Sequence, residues 1–259
     1  YVNIGSAFGG ITRTWADKKF GTLGQEKWLH IAIVYDGSGS TDADRLKVYA
    51  DGDYVAFNSL GSIPTSIPSG GGDLVIGKLN TYEFEGEMSN VSVFNTSLAA
   101  TGTESVESLY NYGTPPNIAS YSGLQAWWKL DASATFSTNW TVPDASSNSN
   151  TGTSSNMTAA NLVQSDLLIS APYDSFSLQM DGSDEYINCG TSSDLEITGD
   201  VSISAWVYIT TGSAYNGIVS KRDSGGTNYQ LYTDNSATPK LRFYDGSTAT
   251  SSTGTVSLN

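Results

Sequence analysis

Residues that bind metals through sulfur or imidazole nitrogen are nearly absent from this chain of 259 residues. The sequence contains one cysteine, Cys189, and one histidine, His30. A single cysteine excludes a disulfide within the chain, and a structural zinc site needs about four cysteine or histidine ligands. The fold must therefore be stabilised by packing or by bound hard cations.

Basic residues and long apolar runs are scarce as well. Twelve lysines and arginines stand against 26 acidic residues, and the net charge is -14. The basic residues form no cluster that could follow a phosphate backbone. No apolar run approaches the roughly 18 residues of a membrane span. We therefore expect no nucleic-acid partner and no membrane insertion.

The chain opens on Tyr1 rather than on methionine and without the pattern of a signal peptide. It stops at Asn259, inside a predicted strand. We therefore expect the sequence to be a piece of a longer protein.

Strand patterns dominate what is present. Residues 28–35 are apolar almost throughout, which predicts a strand buried on both faces, whereas residues 46–50 alternate and predict a half-buried strand. Residues 201–209 alternate most regularly. The one convincing helix falls within 101–113, where Thr101 to Glu104 fits a capping box. Many short strands and almost no helix predict an all-β sandwich or jelly roll.

Two polar stretches divide the chain. Residues 114–122 contain two prolines and no apolar cluster, so we interpret them as a linker. Residues 132–160 are rich in Ser, Thr and Asn, and we predict a long loop that only Trp140 and Val142 hold in place.

Several motifs, in order, resemble the strands of laminin-G-like, concanavalin A-type jelly-roll domains of bacterial surface proteins and phage structural proteins. The resemblance implies a two-sheet antiparallel sandwich with one short helix. The motifs are Trp28-Leu-His30 with Val34-Tyr-Asp-Gly37, Val48-Tyr-Ala-Asp-Gly52, Gly86 to Phe94, Leu178-Gln-Met-Asp-Gly182 and Val201 to Ile209.

The order of these motifs is rotated relative to such a domain. Residues 1–113 resemble the C-terminal half of one repeat and residues 123–259 the N-terminal half of the next. Half a jelly roll leaves sheet faces and edges uncovered, so we expect the two halves to pack as one circularly permuted sandwich. Neighbouring repeats of the same protein would then be partners of this one.

Catalytic candidates are few. His30 has no nucleophile motif beside it, which favours a structural role. Glu83, Glu85 and Glu87 share one strand face, and glycoside hydrolases need two carboxylates. However, their strand resembles a non-catalytic strand of the family, and the Glu-x-Asp-x-x-Glu hydrolase pattern is absent. We therefore favour an acidic strand face exposed to solvent and expect that the protein is not an enzyme. A glycoside hydrolase ranks third among the candidate functions, after a recognition module and a structural spacer.

Calcium is the one cofactor that the sequence suggests, because aspartates are frequent in its turns. The resemblance points to Asp181 of the hairpin and to an acid that Ser89-Asn90 replaces here. The candidate ligands are therefore Asp181, Asp184 and Asn90. A turn without metal is favoured, since Asp-Gly suits turns for backbone reasons alone.

Carbohydrate binding would need exposed aromatic rings beside polar groups. Trp28, Trp127 and Trp206 read as core, whereas Trp140, Tyr215 and Tyr82 fall in predicted loops. The sequence therefore favours a non-catalytic recognition or adhesion module that binds glycans or a cell-surface protein, located outside the cell or on its surface. The alternative is a ligand-free spacer or a decoration domain of a virion.

Overall fold

The protein is described by a computed structural model that covers residues 12–13, 28–55, 63–69, 71–167, 176–210, 215–223, 226–234, 241–244 and 249–252. Strands are the main regular secondary structure of these residues. They are β1 (Thr12–Arg13), β2 (Leu29–Tyr35), β3 (Leu46–Ala50), β4 (Asp53–Tyr54), β5 (Asp73–Ile76), β6 (Lys78–Leu79), β7 (Tyr82–Glu83), β8 (Glu85–Phe94), β9 (Leu124–Trp128), β10 (Thr135–Phe136), β11 (Trp140–Val142), β12 (Gly152–Ser155), β13 (Leu162–Gln164), β14 (Phe176–Asp181), β15 (Tyr186–Asn188), β16 (Val201–Ile209), β17 (Asn216–Asp223), β18 (Gly226–Thr233), β19 (Leu241–Tyr244) and β20 (Ala249–Ser252).

Helix is limited to short pieces. The α-helices are α1 (Asp42–Arg45) and α2 (Val106–Tyr110), and single 3₁₀ turns occur at Asn111–Gly113, Ala159–Asn161 and Ser193–Leu195. In the part of the chain that the structure describes, no helix has the length and apolar character needed to span a membrane.

Two large sheets form a sandwich, as the sequence predicts. The front sheet has the order β13-β14-β8-β16-β2-β3-β4, with β9 also paired to β8. The back sheet has the order β1-β20-β19-β18-β17-β5-β15-β12-β11-β10. Neighbouring strands are antiparallel except β1 and β20, which are parallel. A separate hairpin, β6–β7, carries residues 78–83.

Strands from distant parts of the chain alternate in the front sheet. β16 lies between β8 and β2, so that Ile203 is opposite both Ile33 and Val93. Segments before and after the predicted linker therefore build one sheet. The assignment of residues 1–113 and 123–259 to successive repeats stays a prediction.

The central strands of the front sheet are buried on both faces, as residues 28–35 predict. Side chains such as Ile31 and Ile203 face the back sheet in the main core. On the opposite face, Val34 and Trp127 pack in a second cluster with Leu109 of α2. Each buried aliphatic side chain contributes roughly 1.5–3 kcal/mol relative to exposure, so this outer layer adds substantially to stability.

The outer layer corrects one detail of the sequence analysis. The capping box predicted at residues 101–104 is wrong, because α2 is capped by Ser105, whose Oγ accepts a hydrogen bond from the Ser108 amide at 3.1 Å. Glu104 instead accepts a hydrogen bond from the Ser122 amide at 3.0 Å. Within the predicted linker, Ile118 is buried in the second cluster, so this segment packs on the sheet.

The loop predicted over residues 132–160 is also partly wrong. The stretch contains β10, β11 and β12, which extend the back sheet by pairing in succession onto β15. These strands are short and their side chains are mostly small and polar. Trp140 and Val142 are buried and alternate with the exposed Thr141, which is the only strand-like pattern they offer.

Candidate functional site

The outward face of the back sheet is polar, and the sheet pattern explains why. Leu74 and Ile76 of β5, Ile187 of β15 and Val219 of β17 are buried in the main core. Successive side chains of a strand point to opposite faces. The intervening residues of these three adjacent strands therefore form a continuous surface on the side away from the front sheet.

A cleft of about 660 Å³ lies on this surface and is called here the back-sheet cleft. Its floor comes from β5, β15 and β17, and the hairpin β6–β7 and the segments at residues 71–72 and 191 form its sides. The lining residues are Gly71, Gly72, Asp73, Val75, Lys78, Asn80, Tyr186, Asn188, Thr191, Ser220 and Arg222.

Two glycines allow the hairpin to lie against β17. Gly77 has φ +88, which glycine adopts without steric cost, and its amide donates to the carbonyl of Ile218 at 3.0 Å. A Cβ atom on Gly217 would lie 2.3 Å from the backbone nitrogen of Leu79. Only a glycine lets the two backbones approach this closely, so Gly217 helps to place Lys78 over the cleft.

Hydrogen bonds fix the orientation of several polar groups in the cleft. Asn188 Nδ2 donates to Asp73 Oδ2 at 2.6 Å. Lys78 Nζ lies 2.9 Å from Glu83 Oε1 and 4.6 Å from the centroid of the Tyr186 ring. Ser220 Oγ accepts from Gln230 Nε2 at 2.8 Å. The cleft therefore presents preoriented donors and acceptors beside an aromatic ring.

An aromatic pair involves the same hairpin but lies outside the lining of the cleft. The ring centroids of Tyr82 and Tyr215 are 4.5 Å apart with planes inclined at 48°, and 42% of Tyr82 is exposed. Tyr82 belongs to the same hairpin as Lys78. Tyr215 also contacts Tyr232, with centroids 6.2 Å apart. The structure thus brings together two of the three predicted carbohydrate-binding residues.

The third, Trp140, lies apart from them on β11. It is only 5% exposed, its Nε1 donates to the carbonyl of Thr158 at 2.8 Å, and its ring packs beside Phe136. The ring is therefore part of the main core rather than a free surface.

The candidate calcium ligands do not converge. Asp181 and Asp184 share the turn between β14 and β15, where Asp181 Oδ1 accepts from the Ser183 amide at 2.8 Å. Asn90 lies on β8, five positions beyond Glu85, which is paired with Asp181; this spacing corresponds to about 16 Å along a strand. Asn90 Oδ1 accepts from Trp127 Nε1 at 3.1 Å.

No cluster of three His, Cys, Asp or Glu side chains suited to a metal occurs among the residues that the structure describes. Calcium binding by Asp181 and Asp184 stays a prediction.

The acidic residues considered for hydrolysis are engaged elsewhere. Glu83 pairs with Lys78, and Glu87 Oε2 accepts from Ser177 Oγ at 2.5 Å. Burial raises the pKa of the Glu87 carboxyl above its ordinary value, partly offset by the Ser177 hydrogen bond. Neither residue is in the described lining of the cleft, in which Asp73 is the one acidic side chain.

His30 and Cys189 are both buried. His30 Nε2 lies 2.7 Å from Ser204 Oγ, and burial lowers the pKa of the imidazole to about 3. Burial also raises the pKa of the Cys189 thiol, with smaller contributions from Asp144 and Asp73. A neutral imidazole and an inert thiol agree with the structural roles that the sequence favours.

The residues of the cleft were not predicted from the sequence. Asp73 and Asn188 are hydrogen-bonded although 115 positions separate them in the sequence. Each occupies a polar position in an alternating strand, which is indistinguishable from an ordinary solvated face. Only the order of strands in the back sheet shows that these positions meet.

Comparison with known families agrees with this architecture. The laminin G type model described as the concanavalin A-like lectin/glucanases superfamily matches residues 7–102 and 181–259, more than half of the chain. Neither a curated protein nor a solved structure gives a significant match. With its two antiparallel sheets and its sequence match, the chain belongs to the concanavalin A-like lectin/glucanase superfamily.

Proposed function

We propose that this protein is a non-catalytic module that recognises glycans in the back-sheet cleft and at the Tyr82–Tyr215 pair. The observation that carries the proposal is a polar cleft with the Tyr186 ring in its lining, together with a tyrosine pair whose Tyr82, 42% exposed, lies on the hairpin that carries Lys78. Sugar recognition uses both kinds of group, since hydroxyls need hydrogen-bond partners and the apolar ring faces pack on aromatic side chains.

The composition of the cleft favours binding over hydrolysis. Glycoside hydrolases require two carboxyl groups on either side of the scissile bond. The described lining of the cleft contains one, Asp73, and its Oδ2 is occupied by Asn188. A recognition role requires no second acid. As a glycan-binding repeat of a longer protein, the module would act outside the cell or on its surface.

The test is a screen on a glycan array, followed by titration calorimetry with the strongest binder. We expect Tyr82→Ala and Tyr215→Ala each to weaken binding about tenfold, because each removes one ring from the contact surface. Tyr112→Ala is the matched control, since Tyr112 is 84% exposed just after α2, which packs on the front sheet rather than the back sheet.

The two alternatives give different results in the same experiments. A ligand-free spacer or virion decoration domain would bind no member of the array. A hydrolase would shorten an oligosaccharide that it binds, and Glu83→Gln or Glu87→Gln would stop that turnover. Equal losses of affinity in the Tyr82, Tyr215 and Tyr112 variants would place the site elsewhere.

A further inference from the structure

Basic residues are a larger share of the charged residues in the back-sheet cleft than in the whole chain. The chain carries 12 basic and 26 acidic residues. The described lining of the cleft contains two basic residues, Lys78 and Arg222, and one acid, Asp73. Even when Glu83, the ion-pair partner of Lys78, is counted with them, these charges balance, and the cleft lacks the acidic excess of the whole chain.

The two basic side chains are not equivalent. Lys78 is held in place by its ion pair with Glu83 at 2.9 Å and by the ring of Tyr186. Arg222 is exposed, and it forms no ion pair with any residue in the described parts of the chain. Arg222 is thus the cation whose donors remain available to a ligand.

The strand register places an acidic residue directly opposite Arg222. Arg222 is the direct partner of Asp73 across the pairing of β17 with β5, and opposite charges in such positions commonly attract one another. Here Asp73 Oδ2 instead accepts the hydrogen bond from Asn188 Nδ2 at 2.6 Å. The guanidinium is left beside the polar floor of the cleft without a bound carboxylate of its own.

From this arrangement we infer that the ligand is an acidic polysaccharide, with carboxylate groups of the uronic acid type, and that Arg222 binds one of those carboxylates. A guanidinium presents a planar fork of N–H donors that matches the two oxygens of a carboxylate. Asn188 and Ser220 can form hydrogen bonds with sugar hydroxyls, whereas the charge of Arg222 is neutralised only by an anion. This inference rests on the proposed function and specifies its ligand class.

The experiment compares oligogalacturonate with its methyl ester, in which the backbone is retained and the charge removed, alongside neutral, uronate-containing and sulfated members of a glycan array. We expect uronate-containing glycans to bind and their esters to bind more weakly. Arg222→Gln should reduce affinity for the acidic form about 10- to 100-fold, to the level of the ester, and Arg222→Lys should retain part of it.

Lys47→Gln serves as the matched control. It changes the net charge equally, but Lys47 lies on β3 of the front sheet, where its Nζ donates to the carbonyl of Asp44. We expect this variant to bind as the unmodified protein does. Thermal unfolding of each variant establishes that the fold is retained.

Several outcomes would overturn the inference while leaving glycan recognition intact. They are equal binding of acid and ester, binding restricted to neutral or to sulfated glycans, and equal losses in the Arg222→Gln and Lys47→Gln variants. Absence of binding to every glycan would instead remove the proposed function, and the inference with it.

Discussion

Trp206 lies directly opposite His30 across the pairing of β16 with β2, and the centroids of their rings are 5.1 Å apart. The Tyr110 ring contacts both of them, with centroid distances of 5.9 Å to the imidazole and 5.8 Å to the Trp206 ring. Both His30 and Trp206 are almost fully buried. Residues from β2, α2 and β16 therefore enclose a neutral imidazole on the outer face of the front sheet.

This burial predicts a pH dependence of stability. The imidazole pKa is lowered to about 3 in the folded protein against 6.5 for the exposed group, so the unfolded chain binds more protons between these values. The free energy of unfolding should therefore fall as pH decreases below 6.5, by up to about 1.4 kcal/mol per pH unit from this group.

Urea unfolding between about pH 5 and 6.5 measures this slope. Because His30 is the only histidine, His30→Gln should remove its contribution and leave the slope set by the carboxyl groups. A variant with an unchanged slope would show that His30 is accessible to protons in the folded state.

The contact between β8 and β16 depends on Gly86. A Cβ atom at this position would lie 1.9 Å from the carbonyl oxygen of Tyr208, and φ is +142. We expect Gly86→Ala to lower the free energy of unfolding by about 3 kcal/mol or more, because the backbone of β8 or β16 must shift in the front sheet.

Gly102→Ala is the control for Gly86→Ala. Gly102 also has positive φ, +106, but nothing lies within 4 Å of a Cβ there. It should cost only the conformational strain, about 1 kcal/mol. Equal costs at the two positions, measured by chemical denaturation, would mean that the β8–β16 contact is looser than described.

Lys221 is an unusual core residue. It is 0% exposed, its Nζ lies 3.3 Å from Glu196 Oε2, and it donates to the carbonyl of Gly72 at 2.5 Å. We expect Lys221→Ala to destabilise the fold by about 3 kcal/mol, since it creates a cavity and removes both interactions.

Lys221→Met should be much milder, within about 1.5 kcal/mol, because it keeps the buried volume and loses only the two polar interactions. The comparison of the two midpoints in denaturant separates packing from these polar interactions. If methionine proves as damaging as alanine, the interactions with Glu196 and Gly72 rather than the volume are what the core requires.

The sequence predicted the centre of the fold better than its margins. Leu29–Tyr35 is a nearly continuous apolar run and Val201–Ile209 alternates regularly, and both patterns predict strands of the buried centre of the sandwich. Gly152–Ser155 has no comparable pattern, and it becomes a strand because β11 and β15 pair with it. Such pairing between distant segments has no local signal.

The site shows the same division. Tyr82 and Tyr215 could be selected as aromatic residues in predicted loops, but their contact depends on the position of the β6–β7 hairpin. Trp140 satisfied the same criterion and proved to be buried. Arg222 could not be selected from the sequence. Its candidate role depends on its pairing with Asp73 and on the hydrogen bond between Asp73 and Asn188, which only the structure shows.

Glycan binding in the back-sheet cleft is tested most directly by a crystal structure of the protein with the strongest glycan ligand from the array. We expect electron density for sugar over the floor formed by Asp73, Asn188 and Ser220, extending to the Tyr82–Tyr215 pair. Sugar bound on the front sheet, or at Tyr112, with an empty back-sheet cleft would contradict it.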